Sequence, residues 1–299
     1  MTFPNENPKL PENINNSYES PLVDFLSMAA VLLGVILILT FAIGWSASWV
    51  GPQIPRNWEP DISLANTGLS EEDLRIEVYL QNLLMQLTAR DTSAQDTTTG
   101  DTTAEPIALT LHYLPEVDVA NAFATAGGNI HVTAGLLRAV ESENGLAMVL
   151  AHEYAHIELR HPAILMLEQL GHTLLYAFLG LGETGAGAFA QSTGMATLMS
   201  FSRDMERSAD LRASELLTTH YGHTAGASEL FRHLLEEDEV EEGRATSSWG
   251  LWQSHPDTQE RIERLESSVG NRHKKGGEAD ALRPLPDWLI TMLEQNPSE

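Results

Sequence analysis

The chain has 299 residues, 42% of them hydrophobic, with a formal net charge of −25, so it can bury a full core in one or two domains, of which we count one as globular. That charge repels nucleic acid and anionic lipid headgroups, so any attachment to a membrane has to be hydrophobic. Cysteine is absent, which excludes disulfides and thiolate metal sites and leaves histidines and carboxylates to carry any metal chemistry.

Residues 1–24 are rich in Asn, Pro and Glu, with Lys9 as their one basic residue, and read as a disordered tail. From Phe25 to Pro55 there is no Asp, Glu, Lys or Arg. As a helix, residues 25–45 would span about 32 Å, the thickness of a bilayer core, and Trp45 and Trp49 suit an interfacial belt. A buried core helix would show a polar face that this run lacks. A cleaved signal peptide would use Ser46-Ala47-Ser48, but the acidic flank and the length of the apolar run favour an uncleaved transmembrane anchor. Lys9 before it and Arg56 after it leave the positive-inside count nearly even.

Residues 46–69, with Pro52, Pro55 and Pro60, read as a linker. The globular domain is placed at 70–267, with a basic linker and a short helix in 268–299. A chain starting near Gly68 is expected to be soluble and to keep its metal. Ser70 with Asp73 gives a capping-box start, and Ile76, Leu80, Leu83, Leu84 and Leu87 form one apolar face of a helix that ends near Arg90. Asp91 to Glu105, dominated by Thr and Asp, reads as a surface loop. Ile107, Leu109, Leu111 and Tyr113 alternate as a strand, and Ile130 to Val132 after Gly127-Gly128 reads as another. The expected fold is mainly α with a small β-sheet, an α+β architecture.

The stretch with chemistry is His152-Glu153-Tyr154-Ala155-His156, inside a helical run from about Glu143 to Arg160 that Ser142 caps and Pro162 stops. Residues four apart sit about 40° from each other around a helix, so both imidazoles leave one face and can bind one cation. Glu153 can reach a water beside that cation without ligating it, as the general base of a zinc peptidase does. The plain alternative is an amphipathic helix that happens to carry these residues.

A catalytic zinc site needs a third protein ligand. His161 lies nine residues after His152, about 180° round a continuous helix, and is set aside. Glu206 and Asp210 share one face of a second helix, so one can ligate while the other accepts a hydrogen bond from a ligating histidine. Alone, such a pair is an ordinary solvated face.

Between the two helices, Pro162 to Phe201 is apolar and rich in Gly and Ala; its strongly apolar run, Leu174 to Gly182, is too short to span a bilayer and the uncharged Thr184 to Ser202 is too rich in Gly, Ser and Thr, so the segment reads as tightly packed soluble helices. Further helices are expected over Glu206–Thr218, Ala225–Glu237 and Asp257–Leu265, and Pro286–Leu293 as a short docked helix. Glu236–Glu242 reads as a solvated acidic run, and His220, His223 and His233 as surface or packing residues.

Taken together, H-E-Y-A-H-I-E-L-R-H, then S-R-D-M-E-R-S-A-D, then Ser254-His255-Pro256 with Arg261 resembles the gluzincin endopeptidase family that includes HtpX and the CAAX prenyl protease. Asn121-Ala122-Phe123-Ala124 and Gly127-Gly128-Asn129-Ile130-His131-Val132 also fit that family. The resemblance implies a zincin-like metallopeptidase domain with one Zn²⁺ per chain, held by His152, His156 and Glu206, with Glu153 as catalytic base and Asp210 behind the ligands. It implies polypeptide substrates, with Asn121 and Ala122 as substrate-binding residues on a sheet edge to which an extended chain can add. It places His255 in the catalytic site, either stabilising an oxyanion or latching the metal's open position, although a loop that merely closes the domain would look the same. Resemblance alone also suggests a single-pass protein of the bacterial inner membrane with an extracytoplasmic catalytic domain, working in protein quality control. The competing class is a non-catalytic, membrane-bound client-binding protein with a structural zinc; no nucleic-acid partner is expected.

Overall fold

Apolar sequence from Leu22 onward forms α1, Pro21–Val50, about 45 Å long at 1.5 Å per residue. The computed structural model describes residues 20–64, 68–95, 107–180, 201–233, 260–266 and 282–295. Pro21 suits the first turn because its missing N–H would be unsatisfied there anyway. With the 3₁₀ turn Gly51–Gln53, α1 makes a 33-residue stretch long and apolar enough to cross a membrane. It runs through Ser46-Ala47-Ser48, so these residues are helical. The chain divides into two units at Ser46.

The second unit is mainly helical with a three-stranded sheet, the α+β fold expected from the sequence. Helix α2, Glu71–Gln95, starts at a reciprocal cap: Asp73 N–H donates to Ser70 Oγ at 3.1 Å, and Ser70 N–H donates to Asp73 Oδ2 at 3.0 Å. Its apolar face is the expected one, and Ile76, Leu80, Leu83, Leu84 and Leu87 are all buried, each contributing about 1.5–3 kcal/mol of burial. The helix continues five residues beyond Arg90, because Asp91 to Gln95 contains no Gly or Pro to end it.

Strand β1, Thr110–Leu114, lies parallel to β3, Asn129–Thr133, which pairs antiparallel with β2, Ala122–Thr125. The order is β1-β3-β2. Strand β2 escapes a period-2 reading because all four of its residues are buried and show no alternation. Gly127 and Gly128 close the β2–β3 turn at φ 87° and 85°, and a Cβ on Gly128 would collide with Ala108 O. Helix α3, Ala134–Ala139, is capped by Thr133.

Helix α4, Glu143–Glu158, is capped by Ser142, whose Oγ accepts from Gly145 N–H at 3.0 Å. Pro162 does not stop a run reaching Arg160. The break falls at Leu159-Arg160, where Arg160 is left-handed at φ 65°, and Pro162 sits in the first turn of α5, His161–Phe178. The start of α5 and Leu175 are buried as expected, but Leu170, Leu174 and Phe178 are exposed, Phe178 by 87%. Residues 181–200 lie outside the described residues.

Helix α6, Arg203–Tyr221, begins at Ser202, whose Oγ accepts from Met205 N–H, and ends at left-handed Gly222. It packs along α4, which also lies against β2 and α2. Residues 229–233 and 260–266 are helical, while 225–228 form turns where a helix is expected to begin; residues 234–242 and 257–259 lie outside the described residues. Helix α7, Asp287–Gln295, docks as expected, with Leu289 fully buried and Trp288 edge-on to Tyr79 at 5.8 Å.

The stretch read as a linker is built into the fold. Ile62 N–H donates to Ala126 O at 3.3 Å, and Leu64 N–H to His131 Nε2 at 2.9 Å; Asn129 Nδ2 reaches Asp61 Oδ1 at 2.8 Å. Arg56 donates to Ile157 O and Glu158 O at 3.4 Å each, satisfying carbonyls at the C-terminal end of α4. Arg160 in turn binds Ile54 O and Glu59.

Candidate metal centre

One turn of α4 separates His152 from His156, and α6 brings Glu206 against both. The two Nε2 atoms lie 2.9 Å apart. Glu206 Oε2 is 3.3 Å from His152 Nε2, and its Oε1 is 3.4 Å from His156 Nε2. All three residues are buried, and their ligand atoms lie within 4.8 Å of one another, a group that could hold a metal ion. Two ligands bound at 2.0–2.1 Å with tetrahedral angles stand about 3.3 Å apart. The His–Glu separations match that spacing, and the His–His separation is a few tenths of an ångström shorter.

The outer faces of the two histidines are also engaged. His152 Nδ1 meets Asp210 Oδ1 at 3.1 Å. Asp210 is gripped by Arg261 through Nε to Oδ2 at 2.9 Å and Nη2 to Oδ1 at 2.7 Å, while Nη1 reaches Glu206 Oε2 at 2.8 Å. The Arg261 guanidinium lies 4.4 Å above the Phe231 ring and is 1% exposed. Burial pushes the Asp210 carboxyl up, but the His152 hydrogen bond and Arg261 outweigh it and bring it down to about 2. For His152, burial and Arg261 push down, Glu206 and Asp210 push up, and the carboxylates win at about 9. The pocket thus favours positive charge at His152. A metal ion held by His152, His156 and Glu206 would supply that charge in place of a proton.

His156 has a different outer neighbour, His161, whose Nδ1 lies 2.8 Å from His156 Nδ1. Burial brings His161 down to about 4, keeping its ring neutral near pH 7. The Phe201 ring covers His156 at 3.7 Å.

Of the sequence-derived candidates, His152, Glu153, His156, Glu206 and Asp210 are brought together. Glu153 is 1% exposed on α4, and its charge acts on Arg261. Asn121 and Ala122 stand at the start of β2, which packs on α4. Ala122 pairs with Val132, and the buried Asn121 Oδ1 has no hydrogen-bond partner among the described residues. His255 lies outside the described residues. Two residues escaped assignment from sequence. Arg261 carried no signal except its place after a His-Pro step, and His161 was set aside because α4 was read as continuous.

Residues 98–269, more than half of the chain, match peptidase family M48. The chain belongs to peptidase family M48. The resemblance read from the motifs is thereby borne out. Among curated M48 relatives, the mitochondrial metalloendopeptidase OMA1 of Schizosaccharomyces pombe is 31% identical over 177 residues, covering 58% of this chain and 51% of that protein. The beta-barrel assembly-enhancing protease of Yersinia pestis is 36% identical over 115 residues, covering 33% of this chain and 22% of that protein. OMA1 of Saccharomyces cerevisiae is 38% identical over 94 residues, 30% and 26% of the two chains. The chain therefore spans about half the length of the first relative and about a quarter of the others.

Proposed function

We propose that this chain is a membrane-anchored, zinc-dependent endopeptidase, and the observation that carries the reading is the buried convergence of His152, His156 and Glu206 on one point between α4 and α6. Three protein donors beside a neighbouring glutamate suit a catalytic zinc, whereas a structural zinc is normally closed by four. When bound, Zn²⁺ supplies Lewis acidity that polarises the scissile carbonyl and acidifies water.

The chain's own residues supply the rest. Glu153 takes a proton from the attacking water and returns it to the leaving amine. Asp210 fixes the tautomer of His152, and Arg261 holds both Asp210 and Glu206 in place. A substrate strand adding to the sheet beside Asn121 and Ala122 would hold its scissile bond over the centre, and the unpartnered Asn121 Oδ1 supports that role. His255 takes the oxyanion or latch role.

Anchoring by α1 as a single pass is supported by its length and apolarity. The relatives, a mitochondrial metalloendopeptidase and a beta-barrel assembly-enhancing protease, support polypeptide substrates, and the role in protein quality control rests on the motif resemblance. An extracytoplasmic catalytic domain on a bacterial inner membrane belongs to the same reading and rests on the motif resemblance. Metal analysis of the full-length chain, combined with cleavage of an unfolded protein with and without chelator, tests this reading. One zinc per chain with chelator-sensitive cleavage supports it; bound zinc without cleavage would favour the client-binding alternative.

A further inference from the structure

We propose that His161 is the positioning residue for His156, fixing the ligand's tautomer and ring orientation as Asp210 does for His152. The inference rests on the metal-site reading above. Histidines that bind a metal normally donate their other ring N–H to a fixed acceptor, and losing that partner weakens binding. His152 has its acceptor in Asp210 at 3.1 Å. The corresponding position beside His156 Nδ1 has a different occupant. The atom there is His161 Nδ1, at 2.8 Å from His156 Nδ1.

A single assignment of protons satisfies this contact. His156 Nε2 faces the donors of the metal site, so its lone pair is needed there and its proton belongs on Nδ1. His161 Nδ1 must then accept, which puts the His161 proton on Nε2. That atom faces Ser208 Oγ at 3.5 Å, and Ser208 Oγ donates onward to Met205 O at 2.8 Å. The chain of donors ends on a backbone carbonyl of α6, the helix that carries Glu206.

The placement is built into the backbone. A continuous α4 would put His161 about 180° from His152. Left-handed Arg160 folds the chain back instead, so that the first residue of α5 meets the last metal-facing residue of α4. Such a conformation is disfavoured for a residue with a Cβ. Glu59 and Ile54 O hold the Arg160 side chain, and Arg56 closes the adjoining end of α4. Phe201, buried at 1% exposure, covers both rings.

The test uses the full-length chain in detergent, stripped of metal and titrated with zinc against a chromophoric chelator. His161→Leu should weaken zinc binding about 10–100-fold, while His161→Asn, whose Oδ1 can accept in the place of Nδ1, should stay within about threefold of the parent. The Co²⁺-loaded Leu variant should show a shifted visible absorption spectrum that the Asn variant does not. Equal binding in all three proteins would overturn the inference, as would equal loss in both variants, which would make His161 a packing residue. A parent chain that binds no zinc would instead defeat the metal-site reading itself. Should the Leu variant fail to fold, ¹⁵N-histidine spectra of the zinc-loaded parent decide the matter. Protons on His156 Nδ1 and His161 Nε2 are expected, and the opposite pair of tautomers overturns the proposal.

Discussion

Arg261 and Asp210 form a two-pronged ion pair in the interior, with Nε 2.9 Å from Oδ2, Nη2 2.7 Å from Oδ1, and both side chains at least 98% buried. The same guanidinium forms an ion pair with Glu206, Nη1 to Oε2 at 2.8 Å. Removing the guanidinium takes from two buried carboxylates the cation that bridges them, leaving His152 and, 3.6 Å from Asp210, Arg264 as their cationic neighbours. Arg261→Met should therefore lower stability by about 3–5 kcal/mol, read as a fall in the melting temperature of the metal-free chain. Arg261→Lys should recover little of it, because an ammonium cannot form the planar fork. An unchanged melting temperature in the Met variant would contradict this account of the pair.

The pH dependence of stability should carry the mark of His131. It is fully buried, stacked on Phe123 and His112, and accepts the Leu64 N–H on Nε2. Burial, with His112 beside it, brings its ring down to about 4 from 6.5. Above pH 6.5 the ring is neutral in the folded and unfolded chains alike, and its stabilising contribution is complete. As pH falls from 6.5 to 4, the unfolded chain takes up a proton that the folded chain refuses, and up to roughly 3 kcal/mol is lost. Denaturation of parent and His131→Gln across this range should show a shallower slope in the variant; parallel slopes would contradict the assignment.

Much of this fold is written in local signals. Ser142 caps α4, the stripe from Ile76 to Leu87 is the buried face of α2, and the four-residue spacings of His152–His156 and Glu206–Asp210 put each pair on one helix face. What was not legible depends on tertiary context. Strand β2 is buried on both faces and has no alternation to read. The Arg160 corner lies in a run with good helical pattern, and its left-handed backbone is held by Glu59 and Ile54 from a stretch that reads as a linker by its prolines. Because that corner was invisible, so was the contact of His161 with His156. Arg261 reaches the site from 51 residues beyond Asp210, a distance at which spacing carries no information.

The residues between α1 and α2 set where the chain can be cut. Full-length protein should remain with membranes through alkaline carbonate extraction because of α1. Release by carbonate would argue against a spanning helix. A chain beginning at Ala47 should be released yet folded. One beginning at Gly68 loses Arg56, Glu59, Asp61 and Leu64, together with their bonds to the end of α4 and to the sheet. Its melting temperature should fall well below that of the Ala47 chain, and equal melting temperatures would show that these contacts contribute nothing.

Glu153 supplies the most direct test, because it lies among the metal-site residues on α4 and is given a proton-transfer role rather than a ligand role. Glu153→Gln keeps the size and burial of the side chain and removes its basicity. Zinc content and cleavage of an unfolded protein such as casein should be measured on the same preparation. The account predicts unchanged zinc with cleavage reduced about 10²–10⁴-fold. Cleavage retained at the parent rate by the zinc-loaded variant would contradict it.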